Sequence, residues 1–255
     1  MLFLCNGSPK SGVTWLAHIF RHQPGWIDPL PAPYNEGGKA SPRLSDETLA
    51  LLGTFDFYQS KDYYARVHAS GFAWFHSLLD LREVRMLSIV RDVRDQLVSR
   101  YHHDQRVGRL PPDTTFAQFM ERRAPRLVET ILDYNRFWYA YPGRGPVTTA
   151  YEFLKADFNN ALVHLTVDLK LPARRPFDIG RARRRTDFSR MNDTGAGKFM
   201  RKGIVGDHRN HMAAAEIEAV EAQLRAGGYP ELKRRMVALF PHLEPHLAAT
   251  DVGLG

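Results

Sequence analysis

Short apolar runs alternate along the chain with longer stretches in which apolar residues recur every three or four positions. The short runs predict buried strands, and they lie at residues 2–5, 63–68, 86–90 and 146–151. The longer stretches predict helices, one from residue 14 onward and others at residues 46–52, 72–81, 92–102, 116–140, 158–169, 213–225 and 231–239. Strands that alternate with helices indicate an α/β fold, a doubly wound parallel sheet with helices on both faces.

We expect a single domain over residues 1–255, because this length can bury one core and no repeat or low-complexity linker divides it. Two segments interrupt the pattern. Residues 24–60 begin with four prolines within ten positions, which excludes regular helix or central strand there and predicts a lid or an insertion on the acceptor side. Residues 172–206 are rich in Arg, Gly and Asp and lack periodicity, so we expect irregular loops.

The charge balance favours an anionic ligand. Its 35 basic and 28 acidic residues give the chain a formal charge of +7 and a sequence pI of about 9.6. Nucleic acid, an anionic surface or a nucleotide with several phosphates would each suit that balance. The basic run at residues 183–185 is interpreted as solvated surface.

The single cysteine predicts a reducing compartment, since Cys5 cannot form an intrachain disulfide and fits a small buried apolar position. No apolar run approaches the roughly 18 residues of a membrane span, and the first residues lack the basic start of a signal peptide. We therefore expect a cytoplasmic protein without a membrane partner.

The segment after the first strand has the layout of a phosphate-binding loop. A turn-rich stretch with Gly7, Pro9 and Gly12 connects the strand to the first helix, and Lys10 lies within it. Backbone N–H groups in such a loop, together with a helix N-terminus, favour a bound anion. A Walker A loop would place lysine directly after the second glycine, where this chain has Val13.

The sequence Pro-Lys-Ser-Gly-Val-Thr-Trp at residues 9–15 instead resembles the PKSGTTW loop of sulfotransferases that use 3'-phosphoadenylyl sulfate (PAPS). That resemblance implies that the loop binds the 5'-phosphosulfate end of PAPS and that Trp15 stacks near the adenine. The residues implied in binding are Lys10, Ser11, Gly12, Val13, Thr14 and Trp15.

Two further motifs resemble the 3'-phosphate-binding elements of the same family. The sequence RDVRDQLVSRYH at residues 91–102 resembles the family's RDxRDxxxSxYH, in which the arginine and the serine, here Arg91 and Ser99, bind the 3'-phosphate. Its other charges, Arg94, Asp95 and Arg100, are interpreted as those of a surface helix. The sequence RKGIVGDHR at residues 201–209 resembles RKGxxGDWK, which implies binding by Arg201, Lys202 and Gly203. Here His208 stands where tryptophan is usual.

Shorter matches fit the same family. Arg66-Val67-His68 resembles a KxH segment whose histidine removes the acceptor's proton, and His68 lies 23 residues before Arg91, a spacing similar to the family's. The pair Tyr151-Glu152 resembles a YE pair, and Thr186 and Phe188 resemble a TxF segment at the adenine.

The resemblance implies a PAPS-dependent sulfotransferase that transfers the sulfuryl group to a hydroxyl or amine of a small molecule and releases adenosine 3',5'-bisphosphate (PAP). Lys10, His68 and Ser99 would be catalytic, and no metal is expected. The acceptor would contact residues 24–60, 102–115 and 189–200, which contain no motif that identifies it. The alternatives are a P-loop-type small-molecule kinase, a basic nucleic-acid-binding protein, and a cofactor-binding protein without catalysis. The chain lacks the kinase's Walker lysine, and its best-placed cations lie in two separate loops.

Overall fold

The computed structural model describes residues 1–23, 27–29, 62–68, 76, 79–80, 84–140, 145–171, 176–187 and 203–248. Its five strands in these ranges are Leu2–Asn6 (β1), Ile27–Pro29 (β2), Asp62–Arg66 (β3), Val84–Val90 (β4) and Val147–Ala150 (β5). They form one sheet in the order β2-β3-β1-β4-β5, and every neighbouring pair is parallel.

β1 lies at the centre of this sheet and is buried along its whole length. Its Leu4 is in register with Ala65 of β3 on one side and with Met86 of β4 on the other. The chain therefore builds the sheet outward in both directions from β1, the doubly wound arrangement that the sequence predicts. In such sheets, ligands bind beyond the carboxyl ends of the strands where the strand order reverses. The loops after β1, β3 and β4 meet at that place.

Ten α-helices accompany the strands in the described residues: Val13–Arg21 (α1), Val93–Arg106 (α2), Phe116–Arg122 (α3), Ala124–Tyr139 (α4), Tyr151–Ala156 (α5), Phe158–Asp168 (α6), Ile179–Arg185 (α7), Ala214–Ala226 (α8), Tyr229–Leu239 (α9) and Glu244–Ala248 (α10). Short 3₁₀ helices span Asp207–Asn210 and Pro241–Leu243. Among the described residues, no helix has both the length and the apolar character needed to cross a membrane.

The structure differs from the predicted elements at several places. The helix predicted over residues 116–140 is two helices that meet at Arg123, because Pro125 lacks an N–H and suits the first turn of a new helix. The helices α5, α7 and α10 and the strand β2 were not predicted. Residues 172–206 are therefore not irregular throughout, since α7 lies within them. The strand β2 ends in Pro29 and occupies an edge, where a missing N–H is tolerated. The predicted helix at residues 46–52 and most of that at 72–81 lie outside the described residues.

Other predictions are confirmed. Cys5 is fully buried in the central strand, and burial raises the pKa of its thiol well above the usual range. Arg183, Arg184 and Arg185 are exposed at the end of α7.

Candidate active site

The loop between β1 and α1 is held in shape by its own hydrogen bonds. Ser11 Oγ donates to the Ser8 carbonyl oxygen at 2.8 Å, and Ser8 Oγ donates to Gln96 Oε1 of α2 at 2.8 Å. A Cβ at Gly7 would lie 2.5 Å from Ser11 Oγ, so only glycine fits there. Gly12 closes the loop with a φ of 117° and forms the N-terminal cap of α1. The loop is thus ordered in the protein itself.

Lys10 is the cation of this loop, and its backbone lies in the left-handed region with a φ of 70°. This region is uncommon for residues other than glycine and occurs often at functional sites. Burial, followed by the charges of Arg106, Arg100 and Arg91, lowers the pKa of the Lys10 ammonium to about 8. Lys10 is therefore a cation in a partly dehydrated, electropositive environment, which favours a bound anion.

The end of β3 brings His68 to the same loop. His68 Nδ1 lies 2.6 Å from the Gly7 carbonyl oxygen. A carbonyl oxygen only accepts, so Nδ1 carries the hydrogen, and in the neutral imidazole Nε2 then has the lone pair. Two residues earlier, Arg66 Nη1 donates to Thr14 Oγ1 at 2.8 Å. His68, the base predicted from the sequence, is therefore in direct contact with the phosphate loop, although it lies 61 residues after Gly7 in the chain.

Arg91 directly follows β4 and is 9% exposed. Its guanidinium carbon lies 4.2 Å from the centre of the Tyr151 ring, and Nη1 and Nη2 lie 3.5 Å and 3.4 Å from the carbonyl oxygens of Lys10 and Ile204. Both distances are at the long limit for a hydrogen bond. Nε has no hydrogen-bond partner among the described residues. The guanidinium is thus held in place while its donors are only weakly used.

Asp95 joins α2 to the segment that follows Gly203. Its carboxylate accepts from the backbone N–H of Gly206 at 2.8 Å and from the backbone N–H of His208 at 2.9 Å. His208 Nδ1 lies 2.9 Å from the same carboxylate. Burial acts to raise the pKa of Asp95, but the hydrogen bonds from His208 and the charge of Arg91 outweigh it and hold the pKa below its usual value.

The interpretation of Arg94 and Asp95 as surface charges is wrong, since their exposed fractions are 5% and 1%. Arg94 is buried because it pairs with Asp92 at 2.7 Å and with Glu221 of α8 at 2.6 Å. Arg100 is partly exposed and pairs with Asp104. Charged groups enter a protein interior when they are paired in this way.

Two of the residues predicted to face the adenine, Trp15 and Thr186, lie in contact. Trp15 Nε1 donates to the Thr186 carbonyl oxygen at 3.2 Å, and the Trp15 and Tyr151 rings meet edge to face at 5.3 Å. The Thr186 hydroxyl donates to the Ala182 carbonyl oxygen at 2.8 Å. These contacts link α1, α5 and the end of α7 beside Arg91.

The structure describes only some of the remaining predicted site residues. Ser99 is partly exposed on α2, two turns beyond Arg91, and Gly203 has a φ of 64°. Phe188, Arg201 and Lys202 lie outside the described residues.

Glu152 is a buried carboxylate behind Arg91 whose environment the sequence does not reveal. Its Oε1 accepts from the Asp92 backbone N–H at 2.9 Å, and its Oε2 has no partner among the described residues. Burial raises the pKa of Glu152 to about 7. Its only sequence signal is the Tyr-Glu pair after the predicted strand.

Comparison with known proteins identifies relatives of this arrangement. Human sulfotransferase 2B1 is 25% identical over 252 residues, an alignment that covers 85% of this chain and 63% of the human protein. Rabbit amine sulfotransferase is 24% identical over 156 residues, which cover 53% of this chain and 52% of the rabbit protein. The chain thus spans less than two thirds of the length of either relative.

Among solved structures, mouse sulfotransferase SULT7A1 complexed with PAP superposes with a TM-score of 0.63, covering 89% of this chain and 82% of that chain at 20% identity. Retinol dehydratase in complex with androsterone and the inactive cofactor PAP gives a TM-score of 0.59, covering 89% of this chain and 80% of that chain at 16% identity. At these identities, the two structures establish the fold. A family model described as the sulfotransferase domain matches residues 3–234, and the chain therefore belongs to the sulfotransferase domain family.

Proposed function

We propose that this protein is a sulfotransferase that moves the sulfuryl group of PAPS to a hydroxyl or amine of a small-molecule acceptor and releases PAP. The observation that carries the proposal is the 2.6 Å contact between His68 Nδ1 and the Gly7 carbonyl oxygen, which joins a base to a phosphate loop. Family membership supports it, and relatives of the same fold have been solved with PAP, one of them also with androsterone.

The residues present fit a nucleotide with phosphates at two ends. At one end, the ordered loop offers backbone N–H groups and the Lys10 ammonium. At the other end, Arg91 has a buried Nε without a partner among the described residues, and the backbone of Gly203 is left-handed, with a φ of 64°. The phosphate loop and Arg91 are adjacent, because Arg91 Nη1 lies 3.5 Å from the Lys10 carbonyl oxygen.

PAPS supplies the sulfuryl group as a co-substrate, and the side chains of the protein direct its transfer. His68 Nε2 accepts the proton of the acceptor hydroxyl as that oxygen forms its bond to sulfur. Lys10 stabilises the charge that grows on the bridging oxygen as the sulfur–oxygen bond to the 5'-phosphate breaks. Arg91 and Ser99 hold the 3'-phosphate, so that acceptor, sulfur and leaving group stay in line.

The Gly7 contact also explains how His68 has the correct form for this role. Because Gly7 fixes the hydrogen on Nδ1, the neutral ring has its lone pair on Nε2 without rotation or tautomer exchange. A kinase mechanism is disfavoured because the Walker lysine position holds Val13, a buried apolar residue that has no ammonium to bind a phosphate.

Calorimetric titration with PAP and with adenosine 5'-phosphate (AMP) tests the cofactor class. We expect PAP to bind tightly and AMP weakly, and we expect Arg91→Ala to weaken PAP much more than AMP. Incubation with PAPS and a mixture of phenols, alcohols and amines then tests the reaction through the mass increase of one sulfuryl group. Equal binding of both nucleotides to the wild-type protein would refute the proposal.

A further inference from the structure

The Asp95 carboxylate lies between two parts of the protein that are predicted to bind the same phosphate. Arg91 lies just before α2 and four residues before Asp95, and its Nη2 is 3.8 Å from Asp95 Oδ2. The segment 203–208 arrives from the other end of the chain and binds Asp95 through three contacts of 2.8–2.9 Å. One buried side chain thus contacts both parts.

These contacts differ in strength in a way that separates two roles. The two carboxylate oxygens of Asp95 accept short hydrogen bonds from Gly206 and His208. The exposed fractions of Asp95 and His208 are only 1% and 2%. Arg91 meets Asp95 at a longer distance and reaches the Ile204 carbonyl oxygen only at 3.4 Å. The acceptors of Asp95 are therefore used in contacts within the protein, whereas Arg91 has donors available for a ligand.

We infer that Asp95 is the positioning residue for recognition of the 3'-phosphate: it anchors the segment 203–208 against α2 before the nucleotide binds. The inference rests on the proposed function. His208, where the family usually has tryptophan, strengthens the anchor through its ring nitrogen. The anchor sets where Gly203 stands relative to Arg91, since only two residues separate Gly203 from the fixed Gly206.

Asp95→Asn tests this inference because it keeps the shape of the side chain. Both carboxylate oxygens of Asp95 accept hydrogen bonds, whereas an asparagine has one oxygen and one NH₂ group. The NH₂ group would face the N–H of Gly206 or of His208, and because both groups are donors, that hydrogen bond is lost. We expect the ratio of the dissociation constants for AMP and PAP to fall at least about tenfold, which corresponds to about 1.4 kcal/mol. Binding of AMP itself should change little.

Glu221→Gln is the matched control. Glu221 also accepts from a buried side chain of α2, Arg94, at 2.6 Å, but it lies on α8 and its described contacts do not involve residues 203–208. This variant removes one carboxylate charge next to the same helix, and we expect it to keep the wild-type ratio. His208→Ala, which leaves both backbone bonds to Asp95 intact, should lower the ratio by less than Asp95→Asn does.

Hydrogen exchange provides a second measurement that does not depend on activity. In Asp95→Asn, the amides of residues 204–208 should exchange faster than in the wild-type protein, while those of β1 should not. If Asp95→Asn lowers the melting temperature but keeps the AMP-to-PAP ratio, the inference is overturned and Asp95 is only structural. If that variant does not fold, a ratio unchanged in His208→Ala overturns it. A wild-type protein that binds both nucleotides equally would overturn the proposed function as well.

Discussion

The lowered pKa of Lys10 predicts that the reaction weakens in mildly alkaline solution. Burial and three nearby arginines bring the pKa of its ammonium to about 8 in the free protein. In the proposed mechanism, Lys10 must carry its proton to interact with the phosphosulfate. The rate constant that reports on the free enzyme, kcat/KM for PAPS, should therefore decrease as the pH rises through about 8.

The size of the decrease follows from this value. With a pKa of about 8, roughly nine in ten Lys10 side chains are protonated at pH 7 and roughly one in ten at pH 9. We therefore expect kcat/KM for PAPS to fall about tenfold between these two pH values. A lysine with an ordinary pKa of about 10.4 would lose only a few per cent of its charge over the same range.

Initial rates at varied PAPS concentration and saturating acceptor, measured from pH 6 to pH 10, give this profile. Lys10→Arg should abolish the alkaline decrease, because a guanidinium stays protonated throughout. Arg106→Gln removes the charge that lowers the pKa of Lys10 the most, so the decrease in kcat/KM should move to higher pH. Arg122→Gln, an exposed arginine on α3, should leave it in place. A flat wild-type profile, or an unchanged decrease in Lys10→Arg, would refute the reasoning.

Three other predictions concern the same site. His68→Asn keeps a donor near the Gly7 carbonyl but has no base, so kcat should fall about 10²- to 10⁴-fold while the PAP dissociation constant stays nearly constant in calorimetry. Gly7→Ala places a Cβ 2.5 Å from Ser11 Oγ, so it should lower both the melting temperature and the affinity for PAP; unchanged values of both would contradict the packing of the loop. Burial raises the pKa of Glu152 to about 7, so the native state binds more protons than the unfolded state between about pH 4.5 and pH 7, and the free energy of unfolding should decrease as the pH rises across that range. Glu152→Gln should flatten this decrease in urea titrations, and an equally steep decrease in the variant would assign it to another group.

The sequence predicts the parts of the site that a strand and its following loop determine locally. Apolar runs locate β1, β3 and β4, and the loop, His68 and Arg91 follow them directly. Parallel strands have their carboxyl ends at one edge of a sheet, so residues after three such strands meet once the strands pair. The spacing of motifs is therefore enough to predict that Lys10, His68 and Arg91 lie close together.

Burial of charge is not predictable in this way. The sequence of α2 is rich in charged residues, which is typical of a solvated helix, yet Arg94 and Asp95 are buried in it. Their partners, Glu221 and His208, lie 127 and 113 residues away in the chain. Whether a charged residue faces water or the interior depends on such partners, and these become known only from the fold.

The same distinction bears on the proposed recognition of the 3'-phosphate. Arg91 is placed by its position directly after β4, so its proposed role depends on local sequence. The inferred contribution of Asp95 depends on a distant segment, in which His208 Nδ1 lies 2.9 Å from the carboxylate. We therefore expect substitutions at positions 95 and 208 to be strongly non-additive in PAP affinity, because each residue contributes through the other.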